Sequence, residues 1–222
     1  KLLTRKFHVS ASLARNPEVM VSGADNAQDL EANLDWPDAV VAGPGMFKNY
    51  WSEQILYKLL VHVADKNIPT LLDAGALRLL SHKAFSKIKL HSEMVLTPHP
   101  GEAAEMLNIP VNEIQKNRIK SVKALQKKYG CIIVLKGNGT IVCNKNDAYL
   151  CSSGGPELAV AGSGDILSGV IGSLMAQGLS PFDAAKTGVE IHALAGAEFV
   201  KDVGRIGLAA GELISYIRKF LN

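Results

Sequence analysis

The chain has 222 residues, 47% of them hydrophobic and 20% charged, and its 24 Lys and Arg against 21 Asp and Glu give a formal net charge of +3. A chain of this length buries a core without metal or disulfide cross-links, so we expect a single domain over residues 1–222. It holds no uninterrupted apolar run of about 18 residues, which excludes a membrane-spanning helix, and no basic-then-apolar start indicates a secretory signal.

The three cysteines, Cys131, Cys143 and Cys151, are an odd number without a Cys-x-x-Cys pair. All three lie in apolar, strand-like stretches, where a free cysteine behaves as a small hydrophobic residue. Free thiols of this kind fit a reducing compartment, so the sequence predicts a cytoplasmic protein.

Apolar runs of strand length recur along the chain and alternate with helical patterns. The first four runs are continuous rather than alternating in polarity, which is typical of strands covered on both faces in a parallel sheet. Strands that alternate with helices predict an α/β layered domain. The six runs are Asp38–Ala42, Thr70–Asp73, Met94–Thr97, Cys131–Leu135, Thr140–Cys143 and Ala148–Cys151.

Several other stretches have helical spacing. Apolar residues recur along residues 51–63, and a wide apolar stripe runs along residues 166–175. Ser180-Pro181-Phe182-Asp183 is a helix start, with serine as the N-cap, proline at the first helical position and a carboxylate at the third. A last helix is predicted over residues 207–220.

The densest basic stretch also has helical spacing. Ile119, Val122 and Leu125 alternate with its cations, which predicts an amphipathic helix with the cations on its solvent-exposed face. No aromatic residue is interleaved among the cations, so we expect no nucleic-acid binding. The cations are Lys116, Arg118, Lys120, Lys123, Lys127 and Lys128.

Ligands of open α/β sheets bind beyond the carboxyl ends of the strands, so residues directly after each apolar run are candidates for a site. Gly43-Pro44-Gly45 follows the first run and lets the backbone approach a ligand closely, although an ordinary turn explains it equally. Thr97-Pro98-His99-Pro100-Gly101-Glu102 follows the third run. Its two prolines restrict the backbone of His99, which fits either a ligand-binding ring or a structural strand-to-helix turn.

The run Lys136-Gly137-Asn138-Gly139-Thr140 joins two predicted strands. As a hairpin turn it needs no other explanation, because Gly-Asn-Gly is ordinary turn chemistry. As a site it offers a cation, backbone amides and a hydroxyl group, all of which suit a phosphate. These residues alone leave both interpretations open.

The strongest signal for a site is Gly162-Ser163-Gly164-Asp165, which opens a predicted helix. A glycine-rich turn there exposes unpaired amide N–H groups at the positive end of the helix dipole, and these suit a negatively charged phosphoryl group. Asp165 can orient a substrate hydroxyl group beside them and accept its proton. The alternative is a simple helix cap, but a cap does not require two glycines before it.

Other well-known site patterns are missing from the sequence. The Walker A spacing, the dinucleotide-binding glycine pattern and the Gly-x-Ser-x-Gly motif are all absent. No metal site built from side chains is predicted, because the histidines lack partners at metal-ligand spacing. These histidines, interpreted as surface or core residues, include His62, His82, His91 and His192.

Taken together and in order, these segments resemble the ribokinase-like fold and, more specifically, the NAD(P)H-hydrate dehydratase family. The run Leu96–Glu102 is the more specific match, because Gly-x-Gly-Asp is shared across the fold. The resemblance covers about residues 38–200. The matching segments are Gly43-Pro44-Gly45, Leu72-Asp73-Ala74, Leu96–Glu102, Val134–Thr140, Gly162–Gly169 and Ala176-Gln177-Gly178.

The resemblance implies a three-layer α/β/α fold with a mostly parallel central sheet. It also implies a hydro-lyase that repairs hydrated NADH and NADPH, with ADP or ATP as co-substrate and with Mg²⁺. Asp165 would lie against the ring hydroxyl group and act as the catalytic base. The hydrated dinucleotide is expected to contact Gly43, Gly45, His99 and Asp165. The adenine nucleotide is expected at Lys136, Gly137, Asn138, Gly139, Thr140, Gly162, Ser163 and Gly164.

Three departures from the family pattern accompany the resemblance. The family's glycine-rich first strand and loop lie upstream of Gly43, and we expect this chain to be short of that segment. Phe47 stands where another glycine is usual, and Gly154-Gly155-Pro156-Glu157 replaces a more typical Gly-Asn-Pro-Gly stretch. The apolar start of the chain favours a homo-oligomer.

Two alternatives stay open from the sequence. One is a small-molecule kinase of the same fold, similar to hydroxyethylthiazole kinase, which would form a stable phosphorylated product instead of free phosphate. The other is a nucleotide-binding fragment without catalytic activity.

Overall fold

The computed structural model describes residues 1–221, and in this part of the chain eight strands form two sheets. The strands are β1 (Leu2–Thr4), β2 (Val21–Gly23), β3 (Val40–Ala42), β4 (Thr70–Leu72), β5 (Met94–Leu96), β6 (Ile132–Leu135), β7 (Ile141–Cys143) and β8 (Ala148–Leu150).

Ten α-helices and five short 3₁₀ segments accompany these strands in the described part. The helices are α1 (Val9–Arg15), α2 (Ala27–Glu31), α3 (Tyr50–Lys66), α4 (Ala74–Leu80), α5 (Pro100–Leu107), α6 (Val111–Lys116), α7 (Arg118–Tyr129), α8 (Ser163–Ala176), α9 (Pro181–Asp202) and α10 (Leu213–Ile217). The 3₁₀ segments are Lys6–His8, Lys83–Phe85, Pro156–Leu158, Ala210–Glu212 and Arg218–Phe220. No helix among residues 1–221 is both long enough and apolar enough to cross a membrane.

The main sheet has six strands in the order β3-β4-β5-β6-β7-β8. The pairs from β3 to β6 are parallel, and β7 and β8 continue the sheet in antiparallel pairs. All six strands lie within the predicted apolar runs, and the predicted parallel pairing of the first four is confirmed. The small sheet of β1 and β2 stands apart from this sheet.

Helices cover both faces of the main sheet, because successive side chains of a strand point to opposite faces. Leu72 of β4 belongs to a core formed with α3, α4, α5 and α7, whereas its neighbour Leu71 belongs to a core formed with α8 and α9. The cores lie on either side of the sheet, and this confirms the predicted three-layer α/β/α arrangement.

Local capping signals explain where several helices begin and end. Asn49 accepts the amide proton of Ser52 and begins α3, and Gly130 ends α7 with φ +74°. The predicted start of α9 is confirmed, because the Ser180 side chain accepts the amide proton of Asp183 at 3.2 Å.

Two helix predictions need correction. The last helical stretch begins at Ala210 instead of 207 and alternates between 3₁₀ and α geometry, because Gly207 takes φ +98°, which helical residues do not. In the basic stretch, Val122 and Leu125 are buried as predicted, but Ile119 is 61% exposed.

The carboxyl ends of β3 to β6 lie at one edge of the sheet, because these strands are parallel neighbours. The residues that follow them are therefore neighbours in space: Gly43 after β3, Asp73 after β4, His99 shortly after β5 and Lys136 after β6. Helix α8 also reaches this edge, since the Ser168 hydroxyl group donates to Asp73 Oδ2 at 2.8 Å.

Candidate active site

A cavity of about 670 Å³ opens at the carboxyl edge of the parallel strands. This volume suits a ligand of nucleotide size. Its walls are the turn 136–140, the segment 153–160, the first turn of α8, part of α9, and Asp73, His99 and Glu102. The structure thus brings Asp73, His99 and Glu102 together with segments that follow them much later in the sequence.

The turn 136–140 is a hairpin, as one interpretation of its sequence predicts, and it also forms a wall of the cavity, while a phosphate site there stays a prediction. It connects the antiparallel strands β6 and β7, and all five of its residues face the cavity. Gly137 and Gly139 have φ +129° and +67°, a region that glycine enters at little cost. The Thr140 hydroxyl group donates to the Gly137 carbonyl at 3.0 Å and closes the turn.

Helix α8 points its N-terminus into the cavity. Gly162 takes φ +86° just before the helix, and the next three residues, Ser163, Gly164 and Asp165, form its first turn and line the cavity. The amide N–H groups of a first turn lack partners within their own helix. They provide a positive region suited to an anion, as the sequence predicts.

A buried ion pair stands beneath this first turn. Asp73 is 1% exposed, and its Oδ1 lies 2.7 Å from Lys136 Nζ and accepts the amide proton of Ala74 at 2.8 Å. Ala74 has φ +46°, a left-handed conformation that costs a residue with a Cβ about 1–2 kcal/mol. A Cβ on Gly164 would lie 3.2 Å from Lys136 Nζ, so a glycine there lets the helix approach the lysine closely.

His99 and Glu102 form a capping box at the start of α5. His99 Nδ1 accepts the amide protons of Gly101 and Glu102, and the Glu102 carboxylate accepts the amide proton of His99 at 2.9 Å. Because Nδ1 is an acceptor, the ring proton lies on Nε2, which is 3.4 Å from Glu102 Oε1. Glu102 is 4% exposed and lies 4.0 Å from Lys136 Nζ, so it links the histidine to the buried ion pair.

Asp165 is open to the cavity, and its surroundings favour proton acceptance. Burial and the negative charge of Asp73 raise the pKa of Asp165, and the nearby Lys136 cation opposes this effect. A carboxylate with a raised pKa is a stronger base. The site therefore places a carboxylate with a raised pKa beside a helix start that suits an anion.

His192 of α9 contacts the first turn of α8 and also lines the cavity. It is 7% exposed, and its Nε2 lies 3.1 Å from the Ser163 carbonyl oxygen and 3.2 Å from the Ser163 hydroxyl oxygen. Burial lowers the pKa of His192 to about 4, although the Ser163 carbonyl favours the charged form. This core histidine is therefore neutral at physiological pH.

We expect acid to weaken the fold through His192. Between about pH 6.5 and about pH 4 the unfolded chain binds a proton on His192 that the folded chain does not, so stability falls as the pH falls through this range. The full loss is roughly 3 kcal/mol. Denaturant unfolding at several pH values measures it, and His192→Gln should flatten the dependence, whereas His8→Gln at an exposed position should not. An equally steep dependence in His192→Gln would contradict this assignment.

The predicted substrate residues Gly43 and Gly45 lie in the turn after β3 and do not line the cavity. Gly43 has φ +125°, and a Cβ there would lie 1.8 Å from the Asp73 carbonyl oxygen, so close packing against β4 requires glycine. A Cβ on Gly45 would have no atom within 4 Å. A substrate role for either residue stays a prediction. The other predicted site residues, His99, 136–140 and 162–165, all line the cavity.

Three residues of this network received no role from the sequence. Asp73 and Glu102 were visible within matching segments, and Asp73 directly follows a buried strand, which is a usable signal. Ser168 also lies within a matching segment, Gly162–Gly169, but nothing in the sequence relates it to Asp73, which is 95 residues away in the chain.

The carboxylates suit a Mg²⁺ ion that arrives with a nucleotide. Among residues 1–221, no group of three His, Cys, Asp or Glu side chains is arranged to hold a metal by itself. Mg²⁺ commonly keeps several waters and binds through one or two carboxylates together with substrate phosphates. Asp73, Glu102 and Asp165 offer such carboxylates at the cavity.

Comparison with known proteins settles the family. The family model described as NAD(P)H-hydrate dehydratase matches residues 2–219. The chain belongs to the NAD(P)H-hydrate dehydratase family. This confirms the resemblance drawn from the sequence.

Relatives of the family cover this chain almost completely. The bifunctional NAD(P)H-hydrate repair enzyme of Coxiella burnetii is 39% identical over 220 residues, which are 99% of this chain and 43% of that protein. The chain thus spans less than half of that relative. The ADP-dependent (S)-NAD(P)H-hydrate dehydratase of Neisseria meningitidis is 37% identical, over 96% of this chain and 71% of that protein.

A solved structure of the NAD(P)H-hydrate dehydratase family shares the fold. The ADP/ATP-dependent NAD(P)H-hydrate dehydratase from Bacillus subtilis, co-crystallised with ATP and Mg²⁺, superposes with a TM-score of 0.82 at 27% identity. The match covers 100% of this chain and 78% of that one. It confirms the predicted fold class.

Proposed function

We propose that this chain is an ADP- or ATP-dependent (S)-NAD(P)H-hydrate dehydratase, which restores NADH and NADPH from their hydrated forms. The observation that supports this proposal best is the cavity, which is lined by Asp165 in the first turn of α8 and by the turn 136–140. Membership of the NAD(P)H-hydrate dehydratase family and the names of the relatives from N. meningitidis and B. subtilis support the substrate and the co-substrate.

In the first step, the Asp165 carboxylate accepts the proton of the ring hydroxyl group. The hydroxyl oxygen bonds to the terminal phosphorus of the nucleotide, and the bond from that phosphorus to the bridging oxygen breaks, so ADP leaves as AMP, or ATP as ADP. Amide N–H groups of Gly164 and Asp165 are placed to stabilise the negative oxygens during this transfer, whereas the Ser163 N–H donates to the Val160 carbonyl at 3.2 Å.

In the second step, the phosphorylated ring eliminates phosphate. The bond between the ring carbon and the phosphate oxygen breaks, the neighbouring ring carbon gives its proton to the departing phosphate, and the carbon–carbon double bond is restored. Phosphate is a far better leaving group than hydroxide, which is why the nucleotide is consumed. The helix start that accepts the phosphoryl group also suits the departing phosphate.

The remaining residues are assigned to binding. The turn 136–140 and Gly162–Gly164 hold the nucleotide, while His99, fixed in the capping box with Glu102, contacts the hydrated dinucleotide. Asp73 and Glu102 would hold a Mg²⁺ ion together with the nucleotide phosphates, and the ion would supply positive charge against theirs. The buried free cysteines support a cytoplasmic location, and the homo-oligomer stays a prediction.

We expect the purified chain to restore the absorbance of the reduced nicotinamide ring when hydrated NADH and ADP or ATP are supplied. One phosphate should be released for each NADH that is recovered. A chain shown by circular dichroism to be folded, yet without recovery with either nucleotide, would overturn the proposal. A stable phosphorylated product without free phosphate would instead favour the small-molecule kinase.

A further inference from the structure

Arg118 differs from the other cations of the basic stretch in its surroundings. It is the first residue of α7 and lies outside the cavity wall, but its half-buried guanidinium group reaches the turn 136–140. Its Nη2 donates to the carbonyl oxygens of Leu135 at 3.1 Å, Lys136 at 3.3 Å and Gly139 at 3.0 Å, and its Nη1 also donates to Lys136 O at 3.3 Å. The sequence predicted a solvated cation at this position.

The charge of Arg118 has no carboxylate partner. Within residues 1–221, its hydrogen-bond acceptors are the three carbonyl oxygens and Gln115 Oε1, at 3.2 Å, all of them neutral. Lys116, two residues earlier, is by contrast paired with Glu113 at 3.7 Å. Guanidinium stays charged in proteins, so a full positive charge lies directly behind the turn.

The contacts also orient the peptide groups of the turn. In a trans peptide the carbonyl and the following N–H point in opposite directions, and no cis peptide occurs in the described chain. Because Arg118 holds the carbonyls of Lys136 and Gly139, the amides of Gly137 and Thr140 point away from it. Gly137 and Thr140 both line the cavity.

Gly137 makes this arrangement possible. Its φ of +129° lies in a region that disfavours residues with a Cβ, and a Cβ there would stand 3.0 Å from Arg118 Nη1. The glycine thus serves the turn geometry and also the close approach of the guanidinium group. Arg118 therefore depends on a glycine at position 137 to reach the turn.

We propose that Arg118 is a positioning residue for nucleotide binding, which holds the amides of the turn 136–140 toward the phosphates and adds uncompensated positive charge behind them. It touches no substrate itself and acts through the turn. This inference rests on one part of the proposed function, namely that the cavity binds a nucleotide.

Calorimetric titration with ADP tests the proposal without requiring turnover. We expect Arg118→Gln to weaken ADP binding by at least about 10-fold, because hydrogen bonds from a charged group and the charge itself are lost. Arg118→Lys should recover part of this loss, since it keeps the charge but not the fork geometry. Lys120→Gln, which removes one charge from the exposed side of the same helix, should bind ADP as the wild type does.

Kinetics distinguish positioning from a general structural role. For Arg118→Gln, KM for the nucleotide should rise about 10-fold, while kcat and KM for the hydrated dinucleotide change less than about 3-fold. Three results would each overturn the inference. They are an ADP affinity of Arg118→Gln equal to that of the wild type, an ADP affinity of Lys120→Gln as weak as that of Arg118→Gln, and changes of similar size in kcat and in both KM values. A wild-type chain that binds ADP but shows no dehydration overturns the proposed function alone, and one that binds no nucleotide overturns both.

Discussion

Asp165→Asn is expected to abolish most of the dehydratase turnover and to leave nucleotide binding almost intact. Asparagine keeps the size and the helix position of Asp165 but cannot accept the proton of the ring hydroxyl group. Loss of a general base costs typically about 10²–10⁴-fold in rate. The amides of the α8 first turn are unchanged, so the ADP dissociation constant should move less than about 3-fold. Single-turnover assays and calorimetry measure the two quantities separately.

Asp65→Asn is the matched control, because Asp65 is an exposed carboxylate on α3, away from the cavity. It should retain wild-type turnover. The wild-type rate should also fall as the pH falls through the raised pKa of Asp165, since the base is then protonated. Wild-type turnover in Asp165→Asn would remove Asp165 from the reaction.

Lys136→Met should destabilise the fold and impair nucleotide binding together. The substitution leaves the Asp73 carboxylate, only 1% exposed, without the cation that lies 2.7 Å from it. Breaking a buried ion pair by removing one partner costs about 3–5 kcal/mol, because a buried charge is left uncompensated. Urea unfolding measures the free energy, and Lys145→Met, at an exposed position in the hairpin beyond β7, should leave it nearly unchanged.

A second variant separates the two effects. Lys136→Met combined with Asp73→Asn removes both charges, so most of the lost stability should return, but the weak nucleotide binding should not. If the double variant were as unstable as Lys136→Met alone, the uncompensated charge would not be the cause. If it bound ADP as the wild type does, Lys136 would have no direct part in the nucleotide site.

Much of the layered core could be predicted from the sequence, because its strands are continuous apolar runs. Leu71 and Leu72, buried on opposite faces, show why such runs lack alternation. The elements before residue 38 could not be predicted, since β1 and β2 are three residues each and only partly buried. Short, half-buried strands leave no periodic signal.

The parts of the site that depend on local backbone conformation could be predicted from the sequence. Gly162 and Gly164 mark the helix start in the sequence itself, and the prolines around His99 mark a fixed turn. Arg118 illustrates the limit: its helical spacing predicts a solvent-exposed cation, and only the fold brings the turn after β6 within its reach. Interactions between distant segments have no sequence period to reveal them.

The hydrogen bond from Ser168 to Asp73 has a thermodynamic consequence for the whole chain. It joins residues 95 positions apart, so the cavity exists only when the sheet and α8 are both assembled. A nucleotide that binds only this assembled state shifts the folding equilibrium by mass action, by about 2.7 kcal/mol at a free concentration 100 times its dissociation constant. Depletion of the co-substrate would then lower the resistance of the chain to unfolding and proteolysis as well as its rate.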